Sequence, residues 1–115
     1  MTNREAIASE IEPYSLSEDG LEKLFLDCAH HFGAEGTVDD EYSPETMKRP
    51  VALAAMRCLA RMRVLASEKV DVISNTYNVK GINAAIASIA ASAGLSPSLV
   101  EAEDDNYNLT AVKIW

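Results

Sequence analysis

The chain carries no P-loop, no GxGxxG, no GxSxG and no HExxH, so the phosphate cradles, nucleophile elbows and zinc-binding helices of common enzymes are missing from it. Aromatic residues make up only 6%. Alanine takes their place, which disfavours a β-sandwich of aromatic and β-branched strands and favours close-packed helices. Cysteine is scarce as well. Cys28 and Cys58 sit inside apolar helical patterns without CxxC spacing, as small buried hydrophobes in a reducing compartment do. No apolar run reaches membrane-spanning length without charge. The opening residues MTNREAIASEIEPYS show neither the apolar run of a signal peptide nor the Arg-rich, acid-poor balance of a transit peptide. The expectation is a cytoplasmic protein that meets no membrane.

What is present fits one ordered domain over residues 1–115. That length can bury roughly two thirds of the unfolded surface in a single core, and a composition 48% hydrophobic and 24% charged is that of a globular chain. The formal net charge is −8, which argues against a protein whose main task is to grip nucleic acid. Its distribution is uneven. Residues 1–45 hold twelve acids and two bases, residues 46–70 six bases and one acid, and residues 71–115 five acids and two bases. The segments therefore carry −10, +5 and −3. A basic middle between acidic ends can be satisfied within one fold or by a neighbouring copy.

The periodicity predicts a mainly α fold, a compact bundle of three to four helices. Thr2 and Glu5 form a T-x-x-E capping box that opens a helix over about 3–11, ended by Pro13. Ser17, with Glu18 and Asp19 behind it, is the expected cap of a second helix over 18–32, whose stripe Leu21, Leu24, Phe25, Cys28, Ala29, Phe32 faces a core and which Gly33 stops. The acidic run 34–42, AEGTVDDEY, reads as a surface loop. Ser43-Pro44-Glu45 is a start signal, and Pro50 either begins a separate rod over 50–67 or kinks a continuous helix. In that rod Val51, Ala55, Cys58 and Met62 follow one face while Leu53, Met56 and Ala60 fill another, so burial on two sides is expected. Arg57, Arg61 and Arg63 are left as a basic seam. A further helix over 79–93 sets Ile82, Ile86, Ile89 and Ala93 on one face and Ala84, Ala87, Ser88 and Ala91 on the other, before Gly94. The pattern also allows short strands at 70–74 and 109–114, paired as a two-stranded ribbon.

Candidate chemistry is thin. Cys28, His30 and His31 are the only cluster of metal-ligand types, and adjacent helical positions point about 100° apart, so they cannot close a ligand set. The runs Asp39-Asp40-Glu41 and Glu103-Asp104-Asp105 lack EF-hand spacing and its glycine. No catalytic residue, cofactor, metal or small-molecule substrate is expected. The residues singled out are those of a subunit interface: Arg57, Arg61 and Arg63 of the seam, and Ala84, Ala87, Ser88 and Ala91 of the small-residue face. The arginines suit an acidic protein surface better than sequence-specific nucleic-acid contact in so acidic a chain.

The succession TNREAIASEI, SLSEDGLEKLFLDC, EYSPETMKRPVALAAMRCLARM and YNVKGINAAIASIAASAGL resembles the small helical head-tail connector (adaptor) proteins of tailed bacteriophages and prophages, over about residues 2–94. The stretch 70–77 and the tail 104–115 depart from the all-helical members of that group. The resemblance implies a structural virion protein that forms a ring beneath the portal, with itself, portal and tail proteins as partners and no catalytic residues. Its place would be the bacterial cytoplasm and then the virion. A small bacterial helical adaptor or regulator that binds one protein partner is the alternative.

Overall fold

The computed structural model describes residues 1–68 and 79–100, with side chains described over 1–63 and 79–100. Four helices fall within this range: α1 (Asn3–Glu10), α2 (Leu21–His31), α3 (Pro44–Glu68) and α4 (Val79–Ala93), and residues 98–100 are helical again. The mainly α bundle expected from the periodicity is what forms. The strands expected at 70–74 and 109–114, and the ribbon they would make, lie outside the described residues.

α3 is the centre of the packing, touching α1, α2 and α4 in turn. Every residue from Pro50 to Met56 is buried, and Leu59 and Met62 carry the burial further along. The expected two-sided burial is real. Against it lie Ile7 and Ile11 from α1 and its exit, Leu21, Leu24, Phe25 and Cys28 from α2, and Ile82, Ile86 and Ile89 from α4. Neither cysteine enters a disulfide among the described residues and both are buried, and burial raises the Cys58 thiol, partly offset by the charge of Arg61.

Two boundaries differ from the sequence reading. α2 begins at Leu21 and not at 18, because Gly20 adopts a left-handed conformation (φ 71°) and its carbonyl accepts the first helical bond, from the Leu24 amide at 2.9 Å. Ser17 and Glu18 remain outside the helix. α3 begins at Pro44, so Pro50 neither starts a helix nor divides two. The Met47 amide bonds to the Ser43 carbonyl at 2.7 Å, which places Pro50 in the second turn. There its missing N–H leaves only the Thr46 carbonyl without its helical partner. Thr46 is exposed, where water can take that role, and the Pro50 ring is buried.

The helix ends foreseen at glycines form as expected. Gly33 (φ 71°) donates to His30 O at 2.9 Å and Ala34 to Ala29 O at 2.8 Å. Gly94 (φ 72°) donates to Ala91 O at 3.3 Å and Leu95 to Ala90 O at 2.8 Å. Each is the paired bonding of a Schellman closure, whose left-handed residue favours glycine.

The Thr2–Glu5 capping box closes in both directions, but α1 has more amides than a box can serve. The rest are taken by the acidic segment expected to be a plain surface loop. The Asn3 amide donates to Asp40 O and the Arg4 amide to Val38 O, both at 2.9 Å, and the Tyr42 amide donates to Met1 O at 2.8 Å. Thr2 and Glu41 form an antiparallel bridge. Asn3, fully buried, donates Nδ2 to Thr37 O at 2.8 Å, and Val38 is buried beside it. The segment is thus a built cap for α1. Its carboxylates stay outside.

Candidate functional site

The expected arginine seam is two surfaces. Successive helical positions turn by about 100°, so Arg57 and Arg61 lie within about 40° of each other while Arg63 points about 160° from Arg61. Arg63 reaches α4, where Nη1 donates to Asn83 Oδ1 at 2.7 Å. Arg57 and Arg61 instead face α2 across a cleft of about 280 Å³. Leu24, Ala60 and Val100 supply its apolar part, and Lys23 and Asp27 of α2 stand opposite the arginines, with Gly20 at one end. A Cβ at Gly20 would come to 4.0 Å from an Arg61 guanidinium nitrogen, so the left-handed turn before α2 also brings the backbone close to that group.

Charge in the cleft is only partly balanced. Lys23 Nζ meets Asp27 Oδ2 at 2.9 Å, one turn along α2. This hydrogen bond, with the charges of Lys23, Arg57 and His30, holds the Asp27 carboxyl below the usual range. Arg57 is half-buried and takes part in this balance. Arg61 is exposed, and among the described residues it enters no salt bridge.

The opposite charge gathers elsewhere. All twelve acids of residues 1–45 are exposed, and the densest group, Glu35, Asp39, Asp40 and Glu41, lies on the cap of α1 just before α3 begins. Arg4 is its local counter-charge, pairing with Asp39 Oδ1 at 3.2 Å and with Glu18. The amine of Met1 meets Glu41 Oε2 at 2.9 Å. That contact raises the amine above its ordinary pKa. Four carboxylates against these two cations leave the cap acidic.

The small-residue face foreseen on α4 is open. Ala84, Ala87, Ser88 and Ala91 are all exposed, while Ile82, Ile86, Ile89, Ala90 and Ala93 on the other side are buried. Among the described residues the face therefore takes no part in the core.

Cys28 is buried whereas His30 and His31 are exposed at the end of α2, and among the described residues no three His, Cys, Asp or Glu side chains come together as metal ligands. A second hollow, about 460 Å³, opens between Phe32, Ala93 and the first turns of α3, with Lys48 and Arg49 on its rim. Among the described residues no helix is long and apolar enough to cross a membrane.

Comparison with curated proteins and with solved structures found no match. A family profile covers nearly the whole chain, residues 1–112, and the chain belongs to that family, the family of unknown function DUF6706.

Proposed function

We propose that this protein is a structural subunit that assembles head to tail into a ring, the role of the head-tail connectors of tailed bacteriophages that its helix succession resembles. The observation that carries this reading is the polarity of charge along α3. The acidic cap stands at the start of the helix, and Arg57 and Arg61 lie thirteen and seventeen residues on from Pro44, about 20 and 25 Å at 1.5 Å per residue. Those separations exceed the screening length of about 8 Å at physiological ionic strength, so the cap and the arginine pair do little for one another within a single chain. A contact between unlike patches on successive copies is the kind that closes into a ring. Acids left on the inner surface of such a ring would repel DNA phosphates and let the duplex slide.

The bare face of α4 fits the same role, since small side chains let a second helix approach closely. The test is to mix the purified protein with a tailed-phage portal protein and image the product by negative stain. Rings, alone or seated on the portal, are the expected result. A one-to-one complex with some other protein and no rings would instead mark a helical adaptor.

A further inference from the structure

We infer that the α2–α3 cleft is a carboxylate-binding site whose occupant is the acidic 35–41 turn of a second copy of this chain, with Arg61 as the electrostatic anchor. The inference deepens the assembly reading and rests on it. The cleft has the make-up of a peptide-docking site: an apolar floor from Leu24, Ala60 and Val100, and cationic side chains from Lys23, Arg57 and Arg61 around it. Asp27 is the only acid lining it among the described residues, and it is already engaged by Lys23. Arg61 is exposed and presents a planar guanidinium fork, the group best suited to grip a carboxylate through two parallel hydrogen bonds.

Among the acidic stretches of the described chain, the 35–41 turn is the one that complements this cleft. It holds four exposed carboxylates within seven residues, of which Asp39 also meets Arg4, Asp40 the Thr37 amide and Glu41 the Met1 amine. Its backbone is pinned by the bonds to the Asn3 and Arg4 amides and to the Asn3 side chain, so it is presented already ordered, and association need not supply the entropy of ordering it. Along the axis of α3 the helix start lies about 25 Å before Arg61 of the same chain. The contact is therefore between unlike patches, and each copy brings one cleft and one turn to the next.

A charge swap tests this at low ionic strength by sedimentation velocity. Arg61→Glu should weaken self-association at least about tenfold, and so should the pair Glu35→Lys and Glu41→Lys, because rim charges of one sign set against each other oppose binding. Combining all three substitutions in one chain should restore association. Mixing the two altered proteins should also restore assembly, as alternating copies, since the Arg61→Glu cleft then meets the lysine turn and the unaltered cleft meets the unaltered acidic turn. Circular dichroism of each variant checks that the helices are kept. If Arg61→Glu, folded, associates as well as the unaltered chain, or the swap fails to rescue, the cleft is not the acceptor, while the assembly reading stands on the unaltered protein's behaviour. If the unaltered protein does not associate at all, both readings fall together.

Discussion

α3 and α4 are drawn from the same small repertoire of alanine, aliphatic residues and a few polar ones, yet the fold uses them oppositely. α3 spreads Val51, Leu53, Met56, Leu59 and Met62 around most of its circumference and is buried against α1, α2 and α4. α4 gathers its bulk into one line, Ile82, Ile86 and Ile89, and leaves Ala84, Ala87, Ser88 and Ala91 in solvent. Where the large side chains stand, and not helix propensity, decides which helix organises the core. The helix with bulk on two sides holds the molecule together, and the one with bulk on a single side keeps a face to offer.

The sharpest way to break this contrast is at the centre of α3. Leu59→Ala is expected to lower stability by about 2–5 kcal/mol, because Leu59 has no exposed surface and the cavity is walled by other helices. A denaturant midpoint measured at constant m-value reads the loss directly. A change under about 0.5 kcal/mol, the scale of surface sites, would remove α3 from the centre.

Within α4 the contrast is finer, and two neighbouring alanine positions separate it. Ala90 is fully buried, so Ala90→Leu should overpack the interface with α3 and cost about 1–3 kcal/mol. Ala87→Leu, on the exposed side, should leave the stability of the single chain within about 0.5 kcal/mol. Equal losses at the two sites would mean that the open face is packed after all.

The smallest effect lies at the polar margins. Glu5 is held below the usual carboxylate range, first by the Thr2 amide, and Asp27 likewise by Lys23. Depressed acids stabilise the fold above their unfolded pKa, about 4, and that help is lost as pH falls through their folded values. The raised Met1 amine works the other way. Its contribution is complete below the unfolded value near 8 and fades as pH climbs through the folded one. These groups are exposed, so the thermal midpoint should sag only gently below about pH 4 and above about pH 8. Glu5→Gln should shrink the acid limb, and an unchanged limb would take the capping box out of the account.

Much of this architecture was legible because it is local. The Thr2–Glu5 box, the glycine closures at Gly33 and Gly94 and the isoleucine stripe of α4 each depend on residues within two turns of one another. Three features were not. Ser17 looked like the helix cap, yet the left-handed Gly20 set the boundary. Pro50 looked like a start, and proved tolerable inside because its one lost bond falls on an exposed carbonyl. The acidic 34–42 run looked like bare loop, since its bonds to α1 join residues about 35 apart that only the fold brings together, and Val38, a lone apolar residue in an acidic run, was the one hint of them. Of the proposed interface residues, the pattern marked the small-residue face of α4 but not how the arginines divide. Arg57 and Arg61 share the cleft, and Arg63 departs to Asn83 because two residues of helix turn through about 200°.

The central claim is that unlike charges, on the cap before α3 and at Arg57 and Arg61 further along it, join successive copies. Static light scattering on purified protein, followed from about 0.05 to 0.5 M salt, tests it most directly, because contacts between rim charges weaken as the screening length shortens. The account predicts assemblies at low salt whose mean mass falls steadily as salt rises. A monomer at every salt and protein concentration, even with portal protein present, would contradict it.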